Sequence, residues 1–578
     1  MRFETGAASR PRGWMMFSLS PAIERFRDWA TASHARACAV LLLISLACFL
    51  PGFSTLQPLD RDEPRFAQAS KQMLETGDFV DIRFQDEARH KKPVGIYWLQ
   101  SAAVKAGEAL GVPQARTQIW LYRIPSLIGA IATVLLTYWA LLAFLARRYA
   151  LLGGALMAAA VLLGVEARIA KTDAVLAACA VATMGALARA WLDWTRSLAF
   201  VPHRHNWLVF WGATALGLLI KGPIVPMVWG LAILVLSASQ RSFRWLKPLR
   251  FGSGLLLCLL VALPWFVAIM LKTGGSFFAD SVGQDMLGKV AEGQEKHWGP
   301  PGLYLVVFFG TYWPAAAFAA MAIPFAWARR KEPQILFLIA WIVPSWLVFE
   351  AVPTKLPHYV LPLYPAVTAL LLLAVINRGI DRHRWGAVAT ACLVLIVPLA
   401  LMGVILYGNW TLDQTLPWLA LPLFALMLLA AVSVIAAFRR EDFEGALWRC
   451  VLASILLTAA VYPLAIESLR SLKLSPRLAE AARSACAEPA VMTLGYREPS
   501  LVFLTGTNLA MAPSGEQAAA FLNQPGCRVA FVEKRFAADF EAALAKGAQK
   551  PRLLTTIRGF NLNGGRRLEI GVFTNAPG

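Results

Sequence analysis

The strongest candidates for chemistry are acidic residues at the ends of long apolar stretches. The sequence DEPR places Asp62, Glu63 and Arg65 soon after the first such stretch, and Asp173 opens a later one in VEARIAKTDAVLAA. Carboxylates at helix ends can act as a base or stabilise positive charge during group transfer. Asp173 also suits a plain helix cap, because carboxylates interact favourably with helix N-termini. Both interpretations stay open on the sequence.

Lysines in two short segments have the chemistry to bind phosphate. RHKKPVGIYWLQ places Lys91 and Lys92 before an aromatic-rich helix, and IKGPIVP places Lys221 between two apolar stretches. An interfacial helix of this kind holds its aromatic rings at headgroup depth while its lysines reach phosphate. The alternative for Lys91 and Lys92 is a lipid-headgroup contact with no catalytic role.

Two further segments carry polar side chains beside prolines and aromatic residues. EGQEKHWGPPGLY contains His297, and EAVPTKLPHYVLPLYP contains Lys355, His358 and Tyr359. These groups can donate hydrogen bonds to a phosphate or a sugar hydroxyl. A histidine beside tryptophan is also an ordinary interfacial residue, so the sequence does not decide the role of His297.

The elements that must position these residues are membrane-spanning helices. The chain has 578 residues, of which 58% are hydrophobic and 16% are charged. Apolar stretches long enough to cross about 30 Å of hydrocarbon recur along it. We expect an α-helical polytopic membrane protein with about thirteen transmembrane helices.

The distribution of positive charge predicts the orientation. The net charge is +20, but the Lys and Arg residues cluster in short loops between apolar stretches, which argues against a nucleic-acid partner. The positive-inside rule then places the N-terminus in the cytoplasm. The candidate site segments fall on the outer side, including the long first loop at residues 54–121.

The last hundred or so residues form a separate, more polar region. Strand-like runs such as VAFVEK and RRLEIGVFTN alternate with helical patterns, so we expect residues 468–578 to form a soluble α/β domain after a membrane domain of residues 1–467. An odd number of spans places this domain outside. Cys486 and Cys527 are the cysteines in polar context, and an exported compartment permits the disulfide that we predict between them.

The segments, in this order, resemble the GT-C membrane glycosyltransferases, in particular the lipid A aminoarabinose transferase and protein O-mannosyltransferase branch. DEPR is similar to the Asp-Glu-x-Arg motif of that family, and Asp173 corresponds to its second aspartate. KLPHYVLPLYP is similar to its Lys-Leu-Pro-x-Tyr-x-x-Pro motif, and Lys221-Gly222-Pro223 to its Lys-Gly-Pro.

The resemblance implies an enzyme at the outer face of a bacterial inner membrane. Asp62 and Asp173 are then the catalytic residues of an inverting transfer from a polyprenyl-phosphate sugar to lipid A or a similar acceptor. The residues that contact the donor phosphate or sugar are then Arg65, Lys91, Lys92, Lys221, Lys355 and Tyr359. Acceptor or pocket residues are Glu63, His297 and His358.

One position departs from the family pattern. The aminoarabinose transferases commonly have Glu-Lys-Pro-Pro where this chain has Lys91-Lys92-Pro93-Val94. The change removes an acidic metal ligand and adds positive charge, so a galacturonic acid donor is an alternative to 4-amino-4-deoxy-L-arabinose. We expect no required cofactor, no metal and a monomer. The rival interpretation is a multispan lipid or sugar transporter, although no repeat of two similar halves is evident.

Overall fold

The computed structural model describes residues 21–58, 61–196, 205–288, 298–383, 386–546 and 551–576. Most of this chain is helical, and a five-stranded sheet lies in its last hundred residues. The predicted fold class, a polytopic helical protein with a C-terminal α/β domain, is therefore confirmed.

Long apolar helices form the membrane part. Eight helices of the described residues have the length and composition to span a bilayer: Ile119–Leu141, Asp173–Thr195, Phe251–Thr273, Pro333–Ala351, Pro357–Ile376, Ala387–Asp413, Leu421–Arg439 and Phe443–Ile466. Shorter apolar helices accompany them at Asn206–Lys221, Ile224–Gln240 and Ala316–Ala328. The N-terminal pair Arg25–Thr31 and His34–Phe49 passes the same test together but is bent by 113°.

The number of spans differs from the expected count. Eight helices, or nine with the bent pair, meet the criteria within the described ranges, whereas the sequence predicts about thirteen. Several apolar stretches form helices that are short for a full crossing, such as Arg147–Ala159 and Leu303–Thr311. The count of thirteen stays a prediction.

The first loop is ordered around two helices. Asp62–Thr76 forms the first-loop helix, and Gly95–Ala109 forms a second helix after a short hairpin of β1 (Arg83–Phe84) and β2 (Glu87–Ala88). The first-loop helix ends at Gly77, whose φ of 74° is the left-handed conformation that glycine adopts without strain.

The C-terminal domain has a mixed sheet in the order β4-β3-β5-β7-β6. Its strands are β3 (Ala490–Leu494), β4 (Ala510–Ala512), β5 (Arg528–Glu533), β6 (Arg552–Asn561) and β7 (Arg566–Thr574). The strands β3, β4 and β5 are parallel, and β7 runs antiparallel to β5 and β6. Helices of this domain lie at Leu474–Ala485, Pro499–Thr505, Gly515–Leu522 and Ala537–Ala545.

A disulfide joins Cys486 to Cys527 in this domain, with their Cα atoms 6.7 Å apart. The two residues lie just after the helix Leu474–Ala485 and just before β5. This is the pairing that the polar context of the two cysteines predicts.

Candidate active site

One cavity brings together the first loop and the ends of several membrane helices. Asp62 and Asp173, which are 111 positions apart in the chain, line the same cavity. Its lining residues come from widely separated segments: Asp62, Phe66, Arg89, Lys91, Lys92, Lys171, Thr172, Asp173, Lys221, Asp285, Thr354, Leu356, His358 and Tyr359. The two acidic candidates therefore face a common volume.

Asp62 begins the first-loop helix and is surrounded by cations. Its Oδ1 atom lies 3.7 Å from Arg65 Nη1 and 4.0 Å from Arg89 Nη2. Burial by itself raises the pKa of the Asp62 carboxyl, but the positive charges of Lys171 and Arg89 outweigh it, so that pKa lies below its usual range. Asp62 is therefore ionised at neutral pH and better suited to orient or stabilise charge than to take a proton.

Asp173 forms a buried ion pair at the start of its helix. Lys221 Nζ donates a hydrogen bond to Asp173 Oδ1 at 2.5 Å, and the two side chains are 11% and 3% exposed. The same ammonium lies 5.3 Å from the centre of the Tyr359 ring, within cation–π range. Asp173 is thus more than a helix cap, because its charge is matched to a lysine from another helix.

His358 lies between the carboxylates of Glu166 and Asp173. Its Nδ1 atom is 3.5 Å from Glu166 Oε1, and its Nε2 atom is 3.7 Å from Asp173 Oδ1. Ligand atoms of these three residues lie within 4.8 Å of one another, a spacing that a metal ion could use. Lys221 already occupies Asp173 Oδ1, so a divalent cation would face charge repulsion there. The expectation of no metal stays a prediction.

The two lysines of the first loop differ in their surroundings. Lys92 Nζ lies 2.6 Å from Asp285 Oδ2, and both side chains are largely buried. The side chain of Lys91 is exposed and lines the same cavity. The pair therefore offers one anchored cation and one that a ligand can reach from the open side.

An apolar cavity of about 500 Å³ continues from the polar one, which is within the usual size range of ligand pockets. The polar and apolar cavities share several lining residues: Lys91, Lys92, Asp173, Lys221, Asp285, His358 and Tyr359. The remaining walls are mainly apolar and include Phe266, Phe277, Phe278, Met227 and Phe349. A molecule with an anionic head and a hydrocarbon tail matches this division.

Three predicted site residues do not line the polar or the apolar cavity, and one of them is Arg65, whose Nη1 atom lies 3.7 Å from Asp62 Oδ1. Glu63 does not line the cavity, because its carboxylate is held by Arg123 at 2.6 Å and by the backbone amide of Ala170 at 3.0 Å. Lys355 likewise turns away, since its ammonium donates to Phe349 O at 3.1 Å and lies 3.5 Å from the Glu350 carboxylate. All three are corrections, to the expected donor contacts of Arg65 and Lys355 and to the expected pocket role of Glu63, and His297 lies outside the described residues.

Three charged residues of the cavity were not singled out by the sequence. Arg89 and Lys171 stand directly beside the motifs that were, in RHKK and AKTD, so adjacency was an available signal. Asp285 stands in SVGQDMLGK, away from these motifs, and gave no such signal. The structure brings it to Lys92 across 193 positions of sequence.

The sequence resembles known families over much of its length. Residues 91–267 match the family described as dolichyl-phosphate-mannose-protein mannosyltransferase. An undecaprenyl phosphate-alpha-4-amino-4-deoxy-L-arabinose arabinosyl transferase of Erwinia tasmaniensis is 26% identical over 70% of this chain and 72% of its own. The Pseudomonas aeruginosa enzyme of the same name is 26% identical, and the match covers 60% of this chain and 61% of that one.

The same architecture occurs in solved structures. ArnT from Cupriavidus metallidurans bound to undecaprenyl phosphate superposes with a TM-score of 0.71 at 18% identity, over 94% of this chain and 98% of that one. An oligosaccharyltransferase of Archaeoglobus fulgidus gives 0.51 at 10% identity, over 95% and 74% of the two chains. Similarity at this level of identity concerns the fold.

Proposed function

We infer that this chain, a membrane glycosyltransferase with the GT-C fold, transfers a sugar from a polyprenyl-phosphate donor to lipid A or a similar acceptor. The observation that carries the proposal is the continuous cavity. Its polar part joins Asp62 and Asp173 with several lysines, and its apolar part is lined by phenylalanines. The named relatives, which act with undecaprenyl phosphate, support the same donor class.

The polar part suits a departing phosphate. Attack of an acceptor oxygen on the anomeric carbon breaks its bond to the phosphate oxygen, which keeps the electron pair and leaves as an anion. Lys92 and Lys221 stabilise that charge by charge-assisted hydrogen bonds. Because one displacement occurs, the configuration at the anomeric carbon inverts.

The two aspartates serve the sugar and the acceptor. The ionised Asp62 carboxylate faces the cavity and stabilises the positive charge that develops on the sugar ring. Asp173, held by Lys221, orients the acceptor. A phosphate acceptor needs no base, because its ionised oxygen carries no proton to remove.

The decisive experiment combines purified protein with defined donors. Undecaprenyl-phosphate-linked 4-amino-4-deoxy-L-arabinose or galacturonic acid is supplied with lipid A, and the products are analysed by mass spectrometry. We expect a lipid A species heavier by one sugar. Translocation of the donor across a vesicle membrane without a glycosylated product would instead favour the transporter interpretation.

The donor sugar is tested at Lys91, which stands where the aminoarabinose transferases commonly carry an acid. We propose that Lys91 contacts the sugar, so Lys91→Glu lowers transfer of the acidic sugar more than transfer of the amino sugar. Equal fractional losses for the two donors would eliminate this role and leave Lys91 as a headgroup contact.

The proposed orientation places the cavity and the C-terminal domain on the periplasmic side. A tag after Gly578 is then accessible from the periplasm, and a tag within residues 329–333 is accessible from the cytoplasm. Labelling of intact cells with a membrane-impermeant reagent checks both sites, and a cytoplasmic C-terminus would overturn the arrangement.

A further inference from the structure

The C-terminal domain packs directly on the first-loop helix. Phe503 is fully buried in one hydrophobic cluster with Ala67 and Leu74 of that helix. Its ring meets Tyr122 edge to face, with centroids 5.2 Å apart. Lys71 Nζ donates to the carbonyl of Phe503 at 3.1 Å, so apolar and polar contacts both fix the domain to this helix.

A single buried carboxylate connects this domain to the start of the helix. Glu498 is 5% exposed, and its two oxygens accept bonds from Arg61 Nε at 3.0 Å and Arg61 Nη2 at 2.8 Å. Asn561 and Asn563, at and after the end of β6, also donate to Glu498, at 2.9 and 3.3 Å. Paired contacts of guanidinium with carboxylate define an orientation as well as a distance.

Three consecutive residues at this helix start contact three different parts of the protein. Arg61 binds Glu498 of the C-terminal domain, Asp62 faces the cavity, and Glu63 binds Arg123 of the membrane domain. The backbone on each side of Asp62 is therefore tied to a different domain. Displacement of either attachment would move the Asp62 carboxylate.

We propose that Glu498 is a positioning residue of the active site, which acts through Arg61 to hold Asp62 in its catalytic place. The C-terminal domain thereby contributes to turnover without itself contacting the reacting atoms. A catalytic group must be held to about 0.5 Å, and an error of about 1 Å can lower the rate about a hundredfold. This inference rests on the proposed role of Asp62 in sugar transfer.

The test compares variants of this contact with a matched control at the same domain interface. Arg61→Ala and Glu498→Gln remove the bidentate contact, whereas Arg61→Lys keeps the positive charge but cannot form a bidentate contact. The control is Gln85→Ala, which removes two hydrogen bonds to the carbonyls of Thr507 and Leu509 in the same domain. All variants are measured in the full-length protein in detergent.

We expect Arg61→Ala, Arg61→Lys and Glu498→Gln each to lower kcat at least tenfold while the KM for the donor changes less than twofold. The double variant Arg61→Ala/Glu498→Gln should be no slower than the slower single variant, because both substitutions break the same contact. Gln85→Ala should retain kcat within twofold at a comparable change of Tm.

The possible outcomes are distinguishable. If Asp62→Asn abolishes transfer but the Arg61 and Glu498 variants keep wild-type kcat, the positioning role is wrong and the proposed function stands. If Asp62→Asn itself remains fully active, the catalytic role of Asp62 fails instead. If kcat falls in proportion to Tm in the Arg61 and Glu498 variants, and does the same in Gln85→Ala, then Glu498 has a structural role only. Should Arg61→Ala fail to fold, Arg61→Lys decides the question.

Discussion

The ammonium of Lys221 lies 2.5 Å from the Asp173 carboxylate, although the two residues belong to different helices and are 48 positions apart. Asp173 begins the helix Asp173–Thr195, and Lys221 ends the helix Asn206–Lys221. The pair therefore joins the start of one helix to the end of another. In the proposed mechanism an arriving phosphate would compete with Asp173 for Lys221, so donor binding would change the charge balance at Asp173.

Removal of the Asp62 charge should separate chemistry from folding. Asp62→Asn keeps the side-chain volume but removes the charge, and we expect transfer to fall about a hundredfold or more with normal membrane insertion. The control is Asp86→Asn, an exposed acid of the same loop, which should behave as wild type. If Asp62→Asn and Asp173→Asn both retain more than about a tenth of transfer, a barrier change under about 1.4 kcal/mol, the catalytic assignment is wrong.

Breaking the Asp173–Lys221 pair from one side should also cost stability. Asp173→Asn leaves the Lys221 ammonium buried without its counter-charge, for which the expected loss is about 3–5 kcal/mol. Asp173→Asn/Lys221→Met removes both charges and should recover much of this loss without recovering activity. Thermal unfolding in detergent measures the difference, and equal stability of the single and double variants would contradict it.

Lys92 should act on every donor alike. Lys92→Ala removes one charge-assisted contact to the donor phosphate, which is worth about 1.5–3 kcal/mol or about 10- to 100-fold in kcat/KM. We expect the same fractional loss with an acidic and with an amino sugar. Lys105→Ala, in the next helix of the loop and largely exposed, is the control. A loss confined to one sugar would assign Lys92 to sugar recognition instead.

The contact between Arg61 and Glu498 predicts a pH dependence of stability. Burial raises the pKa of Glu498, but hydrogen bonds from Arg61 and Asn561 outweigh it, so the pKa lies below the ordinary value of about 4.3. A lowered folded-state pKa stabilises the protein above the ordinary value, and this contribution is lost as the pH falls through the folded-state value. The Tm difference between wild type and Glu498→Gln should therefore be largest at pH 6–7 and become smaller as the pH is lowered. A difference that is constant down to about pH 3 would contradict this.

The disulfide should matter for stability and not for chemistry. Cys486 and Cys527 are separated by 41 positions, and closing a loop of that length is worth about 4 kcal/mol in the chain-entropy model. We expect Cys486→Ala/Cys527→Ala to unfold at lower temperature while retaining kcat at 25 °C. The control is Cys450→Ala, which replaces a free buried cysteine. Reducing agent should lower the Tm of this variant by the same amount as that of the wild type. Loss of kcat without loss of Tm would contradict a purely structural role.

The motifs in the sequence predicted where the cavity forms but not how its charges are paired. Asp62, Asp173, Lys92 and Lys221 stand in segments whose charge is unusual beside apolar stretches, and all four line the cavity. Glu63 belongs to the same motif yet binds Arg123, sixty positions later. Such a pairing depends on which helices become neighbours, and local sequence carries no record of it.

The C-terminal domain shows the same limit. The runs VAFVEK and RRLEIGVFTN became β5 and β7. The first is a continuous apolar run in a buried strand, and the second alternates apolar with other residues in a half-buried one. The short edge strand β4 and the long strand β6 were not predicted, and β6 has a mostly exposed first half that weakens its apolar pattern. The contact of Glu498 with Arg61 joins residues 437 positions apart, beyond any local pattern.

Arg61, Asp62 and Glu63 each contact a different part of the protein, which makes this short stretch intolerant of changes in length. Successive residues of a helix are rotated by about 100°, so a single insertion or deletion here would turn each side chain toward its neighbour's partner. An arginine would then face the cavity, or a carboxylate would face Glu498. Domain exchange between related enzymes consequently has a natural junction outside residues 61–63, and a transplanted C-terminal domain must bring its own carboxylate for Arg61.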